Sequence, residues 1–428
     1  MQVIKYPLKS EWQKLTERPI IDNSNLEEKV QYVLDEVKSN GDAAIKRFTL
    51  EFDRVELENF MVSEQEFSDA EIQIEPDLKE AIDTAYANIK KFHIAQKETT
   101  RKIETMPGVE CWRTSVPIEK VGLYIPGGTA PLFSTLLMLG IPAVIAGCKE
   151  ISICTPADKQ GKINPAILYV AKLLRITTVY KIGGAQAIAA FAYGTETVSK
   201  VYKIFGPGNQ YVTCAKQLVA KKDMAIDIPA GPSELLVLAD GSCVPAFVAA
   251  DLLSQAEHGI DSQVILVSDS EKIISEVVKE LNQQVSVLPR TEIALKALEN
   301  SKAILFNTLQ DGITFANQYA PEHLIIACEK DEELAEQVIN AGSVFLGNYT
   351  PESAGDYASG TNHTLPTNGY AKAYSGVSLD SFVKKITFQK ISKEGIHNIG
   401  KTVELMADKE GLRAHKNAVS IRLKNTTK

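Results

Sequence analysis

The spacing of apolar residues changes near residue 120. Before it, residues 23–53 and 75–102 carry apolar residues three and four apart, which is the period of an amphipathic helix. After it, short runs rich in Val, Ile and Leu alternate with helical stretches, as in KVGLYIP, EISICTP, TTVYKIGG and KVYKIFGPG. Runs that are apolar on both faces are typical of strands covered by helices. Their alternation with helices predicts a parallel sheet.

A second series of the same kind follows, with the runs ELLVLAD, QVILVSD, AILFN, HLIIAC and SVFLG. Two such series predict an α/β protein with two Rossmann-like lobes. The pattern leaves open whether the lobes are sequential or interleaved. The last fifty residues are predicted to form a small appendage of strands and a final helix.

Composition narrows the class of protein. The chain has 428 residues and a formal net charge of −8, which argues against a basic face for nucleic acid. The longest run without charge, between Lys120 and Lys149, is interrupted by Pro and Gly and is not predicted to span a membrane. The N-terminus has no apolar stretch typical of a signal peptide. We therefore expect a cytoplasmic protein whose six scattered cysteines are reduced.

Glycines follow three of the predicted strands in the first series, in YIPGG, KIGGAQ and IFGPGN. In doubly wound sheets, ligands bind beyond the carboxyl ends of strands. Glycines there let the backbone approach a phosphate at the start of the next helix. None of the three completes G-x-G-x-x-G, so tight strand–helix turns are the alternative. Together they leave a nucleotide site and tight turns as the two open interpretations.

Two pairs of polar residues suggest chemistry elsewhere. Gln255 and His258 are three apart on a predicted helix, share a face with Asp251, and could reach one ligand. Glu322 and His323 are adjacent at the start of a strand and suit proton transfer. A polar helix surface and a hydrated strand start are the respective alternatives.

Three further segments carry candidate residues. Asp356 and His363 lie in a loop rich in Gly, Ser, Thr and Asn, which either carries function or simply turns. Glu410 and His415 lie near the C-terminus, where a structural histidine is the alternative. His93 and His397 are predicted to lie on the surface.

Taken together, these segments resemble the histidinol dehydrogenase family. The resemblance rests on KVGLYIPGG, GGAQAIAA, IFGPGN, DIPAGPSE, DLLSQAEHG, PEHL, AGDYASGTNHTLPT and GLRAHKNAV, which occur in the family's order and span nearly the entire chain. It implies a homodimeric, zinc-dependent enzyme. Such an enzyme uses two NAD⁺ to convert L-histidinol through L-histidinal to L-histidine, the last stage of histidine biosynthesis.

The resemblance also implies roles for individual residues. The zinc ligands would be Gln255, His258, Asp356 and His415, and the proton-transfer pair would be Glu322 and His323. The NAD contacts would be Tyr124, Gln186 and Asn209. The metal ligands and His323 would also contact the substrate, together with Ser233, His363 and Glu410.

By the same resemblance, one lobe is inserted in the other. Residues 121–230 would form the NAD-binding lobe, inserted into a discontinuous metal-binding and catalytic lobe made of residues 23–120 and 231–376. Residues 1–22 would form an N-terminal segment. Residues 377–428 would form a dimerisation segment that brings Glu410 and His415 to the partner's site.

Two other classes of protein compete with this interpretation. A zinc hydrolase would use the same His, Asp and Glu residues but would need no dinucleotide site. A two-lobed small-molecule binding protein would need no proton-transfer pair.

Overall fold

The computed structural model describes residues 1–19, 25–127, 131–222, 224–228 and 231–426. The predicted boundary between residues 22 and 23, and Gly128 of YIPGG, lie outside these ranges. The strands are β1 (Gln2–Lys5), β2 (Lys102–Met106), β3 (Val109–Pro117), β4 (Lys120–Tyr124), β5 (Glu150–Cys154), β6 (Thr178–Tyr180), β7 (Lys203–Phe205), β8 (Ala225–Ile226), β9 (Glu234–Ala239), β10 (Gln263–Ser268), β11 (Lys302–Leu305), β12 (His323–Ala327), β13 (Ser343–Leu346) and β14 (Val383–Ile391).

Helices connect and cover these strands. They are α1 (Trp12–Leu15), α2 (Leu26–Phe48), α3 (Glu64–Gln73), α4 (Pro76–Ile94), α5 (Phe133–Ala146), α6 (Pro165–Leu173), α7 (Gly184–Tyr193), α8 (Gln210–Ala220), α9 (Pro245–Ala256), α10 (Glu271–Val285), α11 (Thr291–Glu299), α12 (Leu309–Tyr319), α13 (Asp331–Ala335), α14 (Glu352–Tyr357), α15 (Lys393–Lys409) and α16 (Arg413–Thr426). Among the described residues, no helix has the length and apolar character that crossing a membrane requires.

The strands form two parallel sheets, which confirms the predicted α/β class. The six-stranded sheet has the order β1-β11-β10-β9-β12-β13, and the five-stranded sheet has the order β6-β5-β4-β7-β8. Every residue of β9 and β10 is buried, because apolar clusters cover both faces of their sheet. A third, antiparallel sheet joins β14 to β3 and β2.

The packing differs from the predicted grouping of residues in two places. The predicted lobes place the helices of residues 26–94 with the six-stranded sheet. Instead, these helices pack on those of the five-stranded sheet: α2 packs on α7 and α8, α3 packs on α6, and α4 packs on α5. Strand β1, predicted as part of a separate segment, pairs with β11 at the edge of the six-stranded sheet. Helical periodicity predicts that a helix has an apolar face, but not which sheet that face covers.

The histidine and cysteine predictions have mixed outcomes. His93 is fully buried rather than exposed, and its Nδ1 lies 2.8 Å from the carbonyl oxygen of Ile89. Its neighbours Lys90 and Lys91 suggested a surface, but the apolar face of α4 includes residue 93. His397 is exposed as predicted. All six cysteines are free.

Candidate active site

The candidate reacting residues lie at the amino ends of β9 and β12. His323 is the first residue of β12, and it pairs in register with Leu235, the second residue of β9. Helix α9 runs back across the sheet and ends beside these strand starts, carrying Gln255 in its last turn. The rule that ligands bind at carboxyl ends therefore does not locate this cluster.

His323 is held in a defined orientation. Its side chain is almost fully buried, and its Nδ1 lies 3.3 Å from the carbonyl oxygen of Glu234. Because a carbonyl oxygen only accepts, Nδ1 donates the hydrogen. Nε2 has no hydrogen-bond partner and lies 3.5 Å from Oδ1 of Asp356. The ring therefore presents Nε2, which has no hydrogen-bond partner, to the cluster.

Glu322 completes an ionisable trio with His323 and Asp356. Its Oε2 accepts from the backbone N–H of Glu234 at 2.9 Å and lies 3.7 Å from Nδ1 of His323. Burial raises the pKa of Glu322 to about 8. Burial alone would lower the pKa of His323, but the charges of Glu322 and Asp356 outweigh it and raise that pKa to about 9. Burial alone would raise the pKa of Asp356, whereas His323 holds it well below its usual range.

The predicted metal ligands of this chain meet at the same edge. Gln255 is fully buried, and its Nε2 donates to Oε1 of Glu352 at 2.5 Å, which leaves its own Oε1 without a partner. Nδ1 of His258 lies 3.1 Å from the hydroxyl of Ser233. Asp356 lies on α14 beside His323. The structure thus brings Gln255, His258 and Asp356 towards one region.

These residues fit a cation. Two buried acceptors, Oε1 of Gln255 and Nε2 of His323, lack hydrogen-bond partners, and burying an unpaired acceptor is unfavourable. The carboxyl end of α9, where the helix dipole is negative, lies beside them. Ligand atoms of His323, Glu352 and Asp356 lie within 4.8 Å of one another. Nitrogen and oxygen donors of this kind suit zinc.

Glu352 is a buried site residue that the sequence analysis missed. It accepts hydrogen bonds from Gln255 and from the hydroxyl of Ser254. Burial, together with the nearby Asp356 carboxylate, raises its pKa to about 8. Its position four residues before Asp356 places both side chains on one face of α14. That spacing was the available signal.

His363 links the cluster to the other sheet. Its Nδ1 donates to the carbonyl oxygen of Asp356 at 2.9 Å, and its Nε2 lies 3.2 Å from the hydroxyl of Thr135. Thr135 lies in the first turn of α5, which follows β4 of the five-stranded sheet. The amino edge of one sheet therefore meets the carboxyl edge of the other.

Glu410 and His415 are not brought to this cluster within the chain. Both are exposed, one at the end of α15 and the other on α16. In the described part of the chain, no hydrogen bond or ion pair joins either residue to the cluster.

The predicted cofactor residues line one cavity of about 920 Å³ at the carboxyl edge of the five-stranded sheet. The hydroxyl of Tyr124, at the end of β4, accepts from the N–H of Gly184 at 3.2 Å. The side-chain oxygen of Asn209 accepts from two N–H groups at the start of α8, which leaves its amide nitrogen as a donor. Gln186 is buried, and its Nε2 lies 3.4 Å from Asp53. The cavity offers donors, acceptors and a helix N-terminus to a ligand.

A buried ion pair holds the glycine-rich turn of this cavity. Lys216 and Asp227 form an ion pair. Nζ of Lys216 donates to the carbonyl oxygen of Gly206 at 2.8 Å, and Asp227 accepts from the N–H of Gly206 at 2.7 Å. Gly206 has φ +129°, and a Cβ there would collide with the carbonyl oxygen of Tyr124. Only glycine fits this position without strain.

Comparisons with known proteins agree with the motifs. The family model described as Histidinol dehydrogenase matches residues 16–423. The curated histidinol dehydrogenase of Bacteroides thetaiotaomicron is 59% identical over 428 residues and covers 100% of both chains. The chloroplastic histidinol dehydrogenase of Arabidopsis thaliana is 51% identical over 419 residues, covering 97% of this chain and 90% of that protein.

A solved structure agrees with the fold as well. The crystal structure of histidinol dehydrogenase from Elizabethkingia anophelis is 55% identical, has a TM-score of 0.98, and is matched over 100% of this chain and 99% of that chain. The chain belongs to the histidinol dehydrogenase family.

Proposed function

We propose that this protein oxidises L-histidinol through L-histidinal to L-histidine, using two NAD⁺ and a zinc ion, as the last stage of histidine biosynthesis in the cytoplasm. One observation carries the proposal. A buried histidine whose Nε2 has no hydrogen-bond partner lies beside a buried glutamate and beside Glu352 and Asp356, whose carboxylate oxygens are close enough to hold a metal ion. The competing interpretation, a zinc hydrolase, does not explain the cavity around Tyr124, Gln186 and Asn209.

The zinc site would use Gln255, His258 and Asp356 of one chain and His415 of the partner subunit. A bound zinc ion would supply coordination positions for the imidazole and amine nitrogens of histidinol. Ser233 lies against His258, and His363 lies against Asp356. Both can therefore orient a substrate held at this point, with Glu410 contributing from the arm.

In the first oxidation, Nε2 of His323 accepts the hydroxyl proton of histidinol. Nδ1 keeps its own hydrogen because it donates to the carbonyl oxygen of Glu234. A cation bound by Asp356 would offset part of the negative charge that raises the pKa of His323, which would favour the neutral ring that acts as a base.

In the second oxidation, the aldehyde must first take up water. Glu322 accepts a proton from that water at Oε1, because the N–H of Glu234 bonds only to Oε2. A carboxyl group with a raised pKa is a better base near neutral pH than an ordinary one.

NAD⁺ would supply the hydride acceptor in both steps. Tyr124, Gln186 and Asn209 would bind it, so the lobe built on the five-stranded sheet would be the NAD-binding lobe. The contact between Thr135 and His363 joins α5 to the reacting cluster. The nicotinamide end of NAD⁺ would therefore lie near α5.

The direct experiment follows NADH absorbance after L-histidinol and NAD⁺ are added to zinc-loaded protein. We expect two NADH for each histidinol consumed, and L-histidine as the product. His258→Ala should lose zinc and both oxidations. Zinc-loaded, folded wild-type protein that forms no NADH would exclude the proposed function.

We also propose that each active site is built from two chains of a homodimer. The support is that Glu410 and His415 are exposed on an arm while the other ligands meet at the sheet edge. Mixing inactive His258→Ala and His415→Ala subunits should restore at most half of the normal activity per heterodimer, because one of its two sites is then intact. No recovery, with subunit exchange confirmed, contradicts the shared site.

A further inference from the structure

A partly buried arginine joins the N-terminal segment to the start of β9. Arg18 donates from Nε to Oε1 of Glu234 at 3.0 Å and from Nη2 to Oε2 at 2.9 Å. The exposed fractions of the two side chains are 14% and 1%. A two-point contact between planar groups fixes orientation as well as distance.

Both partners are anchored further. Arg18 also donates to the carbonyl oxygen of Tyr319 at 2.7 Å and lies 3.8 Å above the ring of that residue. Oε1 of Glu234 accepts from the N–H of Asn368 at 2.7 Å. The carboxylate of Glu234 is thus held from two separate segments of the chain.

The main chain of Glu234 touches both proposed catalytic side chains. Its N–H donates to Glu322, and its carbonyl oxygen accepts from Nδ1 of His323. One peptide segment therefore sets the position of the carboxylate and the direction of the imidazole. A shift of Glu234 would move both groups.

We propose that Arg18 and Glu234 are positioning residues that align Glu322 and His323 for proton transfer. The inference rests on the proposed function of that pair. Misplacement of a reacting group by about 1 Å costs up to about 10²-fold in rate. Residues that only position a base affect the chemical step more than the binding of substrates.

The first experiment compares Arg18→Met and Glu234→Gln with the wild-type enzyme. We expect kcat to fall about 10- to 100-fold for both oxidations, while KM for histidinol and NAD⁺ and the zinc content stay within about twofold. Arg18→Lys keeps the charge without the two-point contact and should be intermediate. Arg47→Met is the matched control. Arg47 also pairs with a carboxylate and lies over an aromatic ring, but these belong to Glu36 and Phe48 and not to the cluster. A wild-type kcat in both Arg18→Met and Glu234→Gln would overturn the inference.

A second variant separates positioning from stability. Arg18→Met leaves a buried carboxylate unpaired, which destabilises the fold. The double variant Arg18→Met/Glu234→Met replaces the pair by apolar side chains and should recover thermal stability. If the pair only stabilises the fold, kcat recovers with the melting temperature. If the pair positions the catalytic groups, kcat stays low.

A third measurement does not depend on turnover. ¹⁵N spectra of the histidine rings, with His323 assigned from His323→Asn, report the hydrogen bond at Nδ1 in wild-type protein and in Arg18→Met. A changed His323 signal supports the inference, and an unchanged signal contradicts it. Failure of the proposed function would instead be seen as wild-type protein that forms no NADH.

Discussion

The two sheet edges that meet at the site are built for different tasks. At the carboxyl edge of the five-stranded sheet, uncharged Tyr124, Gln186 and Asn209 line an open cavity beside helix N-termini. At the amino edge of the six-stranded sheet, buried ionisable side chains crowd together beside the carboxyl end of α9. A dinucleotide needs space and backbone donors. Proton transfer and metal binding need close, desolvated charges.

The two edges share one construction. At each, an ion pair holds a backbone segment: Lys216 and Asp227 hold Gly206, and the pair of Arg18 with Glu234 holds the main chain at Glu234. If the edges have separate tasks, changes at the amino edge should alter kcat and changes at the carboxyl edge should alter KM for NAD⁺.

The largest effect is expected at the amino edge. His323→Asn should lower the rate of alcohol oxidation about 10²–10⁴-fold, because it removes the proposed general base. Zinc content and KM for NAD⁺ should be unchanged. Single-turnover kinetics provide the measurement, and His397→Asn, at an exposed histidine, is the control. A His323→Asn enzyme with a near-normal rate would remove His323 from this role.

Glu322→Gln should divide the two oxidations. We expect aldehyde oxidation to fall about 10²-fold and alcohol oxidation to fall less, because only the second step uses water. The test compares single-turnover rates with histidinol and histidinal. Glu329→Gln, an exposed residue just beyond the other end of β12, is the control. Equal losses in both oxidations would contradict the assigned roles.

Lys216→Met should act at the carboxyl edge. It removes the ammonium group that holds the carbonyl of Gly206, so KM for NAD⁺ should rise about tenfold, or ~1.4 kcal/mol. The KM for histidinol should not change. Steady-state kinetics with each substrate varied give the answer, with Lys221→Met, at an exposed lysine just after α8, as the control. A loss confined to kcat would break the division between the edges.

The smallest effect concerns Asp53, which lines the cavity. Burial raises its pKa from 3.8 to about 6. Below about pH 4 the carboxyl group is protonated in both the folded and the unfolded state, so its raised pKa does not lower the free energy of unfolding. Between about pH 4 and 6 the unfolded state loses the proton first, and the free energy of unfolding falls as pH rises. Asp53→Asn should be as stable as wild type near pH 4 and about 1–2 kcal/mol more stable above pH 6, after allowance for solvent screening.

Melting curves of wild type and Asp53→Asn across this pH range test the Asp53 prediction. A stability difference between Asp53→Asn and wild type that does not vary with pH would show that another effect controls it.

Local pattern predicted the parts of the site that lie close together in sequence. Gln255 and His258 share a helix end, and Glu322 and His323 start one strand. Residues that are close together in one helix or strand are also close together in space. Their spacing in a single sequence therefore indicates that they can share a site. The strand runs predicted both parallel sheets for the same reason.

The missed features depend on contacts between distant segments. Arg18 pairs with a residue 216 positions away, and the helices of residues 26–94 cover a sheet that begins after them. No local period encodes which surface an apolar face will meet. The location of the cluster at the amino edge follows from how the two sheets dock, which the order of strands does not show.

The pairing of β1 with β11 has a consequence for how the chain folds during synthesis. Gln2 lies opposite Lys302, so the first strand has no partner until the ribosome has made about 300 more residues. At about 5–20 residues per second, that wait lasts roughly 15–60 s. In the meantime, residues 26–226 supply all five strands of the five-stranded sheet and the helices packed on it, whereas Phe382 of its core is made later. The reacting cluster needs Glu322, His323 and Asp356, which are also made late, so a newly made chain can form the cavity around Tyr124 before it forms this cluster.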